Sequence, residues 1–121
     1  MTRADGPVTH IYKIVSQSDW RAAEAAGVFT GAAVDLADGF IHFSTAEQVE
    51  ETVAKYFAGQ PDLLLVAVAP APLGDALKWE KSRGGALFPH LYAPLPLEAV
   101  ARVEALPIGV DGRHDFSSIR E

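Results

Sequence analysis

The sequence predicts an α+β fold with two helices early in the chain and mostly strands after them. Helix signals with clear starts and stops fall only in the first half, near residues 18–27 and 45–57. Short β-branched, aromatic or apolar runs occupy most of the rest. No GxGxxG element, and no GxxxxGK followed by Ser or Thr, accompanies a strand–helix alternation, so a Rossmann-type sheet is not indicated. A length of 121 residues suits one domain. With 49% apolar and 21% charged residues it is a globular composition, able to bury roughly two thirds of its unfolded surface without a metal or disulfide.

The elements follow in order. His10 to Val15 (HIYKIV) reads as a strand, Ile11 and Val15 alternating with Tyr12 and Ile14. Ser18 is positioned to cap a first helix with Asp19 in its opening turn, Trp20 and Ala23 on its buried side and Gly27 as its stop. Gly31 to Gly39 reads as a loop leading into a second strand, Phe40 to Ser44 (FIHFS). Ser44-Thr45-Ala46-Glu47 fits a capping box with Ser44 as cap, and Val49, Val53, Tyr56 and Phe57 continue at helical spacing until Gly59 and Pro61.

Leu63 to Ala69 (LLLVAVA) is apolar throughout and flanked by prolines, which predicts a buried central strand. Leu77 to Ser82 alternates, with Lys78, Glu80 and Ser82 on one face and Leu77, Trp79 and Lys81 on the other. Phe88 to Tyr92 is extended at its start because it leads into Pro89. Ala99 to Leu106 fits helix or strand on periodicity; Pro107 at its end favours a strand. The expected organisation is a flexible N-terminus over 1–9, one domain over 10–107 and a loose C-terminal tail over 108–121.

Composition excludes several functions. Ten basic against sixteen acidic residues leave a net charge of −6, without the broad basic field of a nucleic-acid binder. Absence of cysteine removes disulfides, thiolate metal sites and cysteine nucleophiles together. The four histidines, His10, His42, His90 and His114, lack the helical two-ligand spacing of a zincin, and no GxSxG elbow supports a serine hydrolase. No run approaches the roughly 20 apolar residues of a membrane helix, and residues 1–9 hold no signal-like core, so the expectation is a soluble cytoplasmic protein.

Two segments concentrate reactive side chains. In DGFIHFS, His42 and Ser44 share one strand face, away from Ile41 and Phe43. His42 reads either as a pocket-lining group or as a hydrogen-bonded core histidine, and Ser44 either as pocket-lining or as the helix cap alone. In WEKSRGGALFPHLY, Glu80 and Ser82 share a face, as do His90 and Tyr92. Gly84 and Gly85 beside Arg83 read either as an anion-binding nest with a bidentate donor or as a plain hairpin turn with a solvated rim.

HIYKI, DGFIHFS, KYFAG, LLLVAV and WEKSRGGALFPHLYAPLPLEAV together resemble a bacterial family, domain of unknown function 952, across about residues 10–106. The resemblance implies an ADP-ribosyltransferase-like fold, with split antiparallel sheets whose cleft binds NAD or a related nucleotide. On that expectation His42 holds a ribose hydroxyl, Arg83, Gly84 and Gly85 grip the pyrophosphate, Ser44, Ser82 and His90 line the cleft, and Tyr92 or Trp79 stacks on a ring. Glu80, with His42, is the candidate catalytic group, at an oxocarbenium-like ribosyl centre. No cofactor is otherwise required; NAD enters as a candidate substrate. The chain departs from the superfamily's triads, since Glu80 lacks a paired Glu-x-Glu. The alternatives are a non-catalytic module for a small anionic metabolite, and a structural interaction domain.

Overall fold

The computed structural model of the chain describes residues 9–82 and 85–117. The fold is mixed α+β, with antiparallel sheets and few helices. β1 (Ile11–Ser16), β4 (Leu63–Val68) and β8 (Val100–Leu106) form a three-stranded antiparallel sheet with β4 at its centre. α1 (Gln17–Ala26) and α3 (Ala46–Tyr56) are the longer helices.

The apolar run of β4 has a direct cause. Val66 and Val68 pack with Ile11, Val15 and Trp20 in one buried cluster. Leu63, Leu65 and Ala67 pack with Tyr12, Ile14, Val49, Val53 and Leu106 in a second. Both faces of the strand are covered, so both parities are apolar.

A second antiparallel sheet runs β3 (Ile41–His42), β6 (Leu87–Leu91), β5 (Leu77–Lys81), with β6 central. The chain crosses between the sheets just after β3. Tyr12 N–H donates to Ser44 O (2.8 Å), and Ser44 N–H to Tyr12 O (2.9 Å). Pro89 is tolerated inside the central strand because its carbonyl, and therefore its missing N–H, face β3, which ends at His42; Phe43 N–H still donates to Pro89 O at 3.0 Å. A short ribbon of β2 (Val28–Phe29) and β7 (Leu95–Pro96) completes the pairing. No helix among the described residues is long and apolar enough to cross a membrane.

The structure differs from expectation in four places. The first cap is Ser16, whose hydroxyl accepts from Asp19 N–H, so Ser18 lies inside the helix. The second is Thr45, paired reciprocally with Gln48, which displaces Ser44 from the capping box by one residue. The stretch read as a loop contains a short helix, α2 (Ala33–Asp38), closed by Gly39 in the left-handed region. The segment read as a loose tail is docked in part: Phe116 is buried and His114 Nε2 lies 2.8 Å from Gln60 O.

Candidate functional site

The β3–β6 register sets His42 directly opposite His90, and antiparallel partners share a face. Their ring centroids are 5.6 Å apart with planes at 67°. Phe40, just before β3, lies almost flat against His90 (4.2 Å, 27°) and near His42 (4.6 Å) and Tyr92 (5.1 Å). On the same cleft as His42 and His90 are Thr52, Tyr56 and Phe57, from the second half of α3 and its C-cap. This cleft holds about 500 Å³ and is lined among others by Lys13, His42, Ser44, Ser82 and His90.

Each histidine leans on a carboxylate. His42 Nδ1 lies 2.6 Å from Asp35 Oδ1 and its Nε2 2.9 Å from Asp38 Oδ2. Both carboxylates come from α2, the helix that sequence periodicity did not reveal. Asp35 is 2% exposed and is the hub of the site. It receives the buried Lys13 ammonium at 3.0 and 2.9 Å, Ala32 N–H at 2.8 Å and His42 N–H at 3.1 Å. Burial alone would raise its carboxyl; the His42 hydrogen bond, the Lys13 charge and the Ala32 amide overcome that and lower it to about 2. Burial pushes the Lys13 ammonium below its ordinary range, and Asp35 offsets part of the shift. Gly31 makes room for this hub, because a Cβ there would stand 2.9 Å from Asp35 Cβ.

His90, itself buried, turns Nδ1 to Glu80 Oε1 at 2.8 Å, and Tyr92 donates its hydroxyl to the same oxygen at 2.8 Å. The His90 and Tyr92 hydrogen bonds hold the Glu80 carboxyl below the usual glutamate range, while the same acceptor raises Tyr92. Glu80 is on the strand face of His90, on the diagonal from it across the β5–β6 ladder. Its role here is to fix an imidazole, a use not anticipated for the lone acid.

The remaining expected residues separate clearly. Ser44 is buried with its Oγ 3.2 Å from Thr52 Oγ1, and Ser82 reaches the cleft wall. Trp79 pairs with Pro89 on the opposite face of β5, so it does not join His90 and Tyr92. Gly85 N–H donates to Ser82 O (2.8 Å) and Ser82 N–H to Ala86 O (2.9 Å), which is hairpin-turn bonding; that amide is already committed and is not free for a phosphate. Arg83 and Gly84 lie outside the described residues.

Lys13, Asp35, Asp38 and Phe40 were not singled out from the sequence. A lysine in the middle of an otherwise apolar strand was the one available signal, because burial of an ammonium demands a partner. Among the described residues no group of three or more His, Asp or Glu side chains is arranged to hold a metal ion. A larger open groove of about 980 Å³, between α3 and residues 109–116, is lined by none of the candidate site residues.

A family model described as a protein of unknown function, DUF952, matches residues 14–103. The crystal structure of protein CC0527 from Caulobacter crescentus is 54% identical, covers 93% of this chain and all of its own, and superimposes with a TM-score of 0.88. The solution structure of CC0527 is 55% identical over 90% of this chain and 94% of its own, with a TM-score of 0.81. No curated protein matches the chain.

Proposed function

The chain belongs to the DUF952 family, matched over residues 14–103, and from its geometry we propose that the cleft binds NAD or a related nucleotide and transfers or hydrolyses its ribosyl group. One observation carries this reading: two cross-strand histidines, each held by a carboxylate, face one cleft with Lys13, Ser44 and Ser82. Two sheets bridged at Tyr12 and Ser44 fit the ADP-ribosyltransferase-like grouping expected from the sequence.

The chemistry of the walls selects the end of the nucleotide. Asp38 places a carboxylate on the cleft wall, Glu80 bonds His90 Nδ1, and Lys13 is already matched by Asp35. Carboxylates accept from ribose hydroxyls and favour a positively charged ring, and Tyr12, Tyr56 and Phe57 on the cleft wall offer aromatic surface for that ring. The nicotinamide ribose therefore suits this half of the cleft better than the pyrophosphate does.

Calorimetric titration with NAD, followed by assay of released nicotinamide, tests the proposal. Saturable binding with release supports an enzyme. Binding without release leaves a binding module, and no heat with NAD or ADP-ribose removes the nucleotide reading altogether.

A further inference from the structure

The two histidines look equivalent in sequence, and their hydrogen bonds make them different. His42 has a carboxylate oxygen within 3 Å of each ring nitrogen, so neither nitrogen is open to the cleft. His90 commits only Nδ1, to Glu80; Nε2 has no hydrogen-bond partner among the described residues, and the residue lines the cleft. A carboxylate can only accept, so Nδ1 must be the protonated nitrogen, and the neutral ring then carries its lone pair on Nε2. Phe40, nearly parallel at 4.2 Å, and the second hydrogen bond on Glu80 from Tyr92 limit rotation of the ring and of its anchor.

We propose that His90 is the general base of this cleft, taking a proton through Nε2 from a hydroxylic acceptor, with Glu80 as the positioning residue that fixes its tautomer. Glu80 and His42 were the catalytic candidates read from the sequence, Glu80 at the ribosyl centre and His42 on a ribose hydroxyl; proton transfer by His90 was not among those roles. The bonded arrangement of carboxylate, Nδ1–H and open Nε2 is the one used wherever an imidazole must be held in a single tautomer for proton transfer.

The inference rests on the nucleotide reading for its substrate, and in that setting the step balances. Water gives a proton to His90 Nε2 as its oxygen bonds to the ribose C1′. The C1′–N bond breaks, and its electron pair goes to the pyridinium nitrogen, cancelling the positive charge there. The products are ADP-ribose and neutral nicotinamide, and His90 returns its proton to solvent. An alcohol or carboxylic acid in place of water would make the same step a transfer.

Two measurements decide it. The first uses protein with ¹⁵N-labelled histidine and no ligand, at about pH 8.5, above the ordinary imidazole range. Long-range proton–nitrogen spectra, with His90 assigned by the signal missing in His90→Gln, should show Nδ1 protonated and Nε2 bare. Glu80→Ala should lose that preference. A wild-type His90 protonated at Nε2 overturns the inference whatever NAD does.

The second is nicotinamide release. His90→Gln should lower it about 10²–10⁴-fold while NAD affinity changes only a few-fold. Turnover equal to wild type in a folded variant overturns the inference even where NAD binds. A bare Nε2 in a wild-type protein that neither binds nor cleaves NAD supports the His90 assignment and overturns the nucleotide reading alone. Because His90 is buried, the spectra of the unmutated protein keep the test valid if His90→Gln folds poorly.

Discussion

Lys13 and Asp35 form an ion pair at 2.9–3.0 Å with both side chains withdrawn from water, and this pair ties the first strand to the helix that holds His42. Neither charge is stable there alone. Asp35 also holds His42 through its ring and its backbone amide, so the pair couples the main sheet to the cleft.

Asp35→Asn should therefore be costly. The amide keeps the shape and leaves the Lys13 ammonium buried without a counter-charge, for which a loss of about 3–5 kcal/mol is expected. Urea unfolding at neutral pH measures it. Glu80→Gln, at an exposed carboxylate, should cost far less, and equal losses in the two variants would contradict the hub role of Asp35.

Acid should act through the same carboxyl. Its folded-state value is lowered from 3.8 to about 2, so the unfolded chain binds the proton more readily. The stabilisation is present above pH 4 and disappears as pH falls toward 2, amounting to about 2 kcal/mol. Urea midpoints across that window should drop in the wild type. Asp35→Asn should lack this part of the decline, and identical slopes would show that other carboxyls dominate acid unfolding.

The displaced cap makes a prediction about neighbouring hydroxyls. Thr45→Ala should cost about 1 kcal/mol and should couple to Gln48→Ala in a double-mutant cycle, since the two side chains cap each other's backbone. Ser44→Ala should show no coupling to Gln48, because its hydroxyl meets Thr52. Coupling of Ser44 to Gln48 would restore Ser44 as the cap.

Gly31 offers a steric test of the hub. With φ at +120° and Asp35 Cβ 2.9 Å from where a side chain would begin, Gly31→Ala should destabilise by about 1–3 kcal/mol. It should also shift the His42 ring signals, as Asp35 is pushed away. A variant with wild-type stability and unchanged His42 signals would show that the approach is not tight.

Much of this protein is determined locally and can be read from its sequence. β4 is apolar at both parities, and an apolar run between prolines has few other uses than a covered strand. The shared faces of His42 with Ser44 and of Glu80 with Ser82 follow from strand alternation, without knowledge of any partner. Cap positions slipped by one or two residues because Ser16 competes with Ser18, and Thr45 with Ser44, for the same local geometry. Only the tertiary structure decided that His42 pairs with His90, 48 positions away in sequence, because register is a long-range choice made by the packing of both sheets. The same holds for α2: six residues with little helical signal become a helix once Asp35 satisfies a buried lysine from another strand and an imidazole beyond the next turn. Strand alternation could tell which side chains share a face, whereas the direction of each imidazole nitrogen depended on carboxylates presented by the neighbouring α2 and β5, whose approach only the packing fixes.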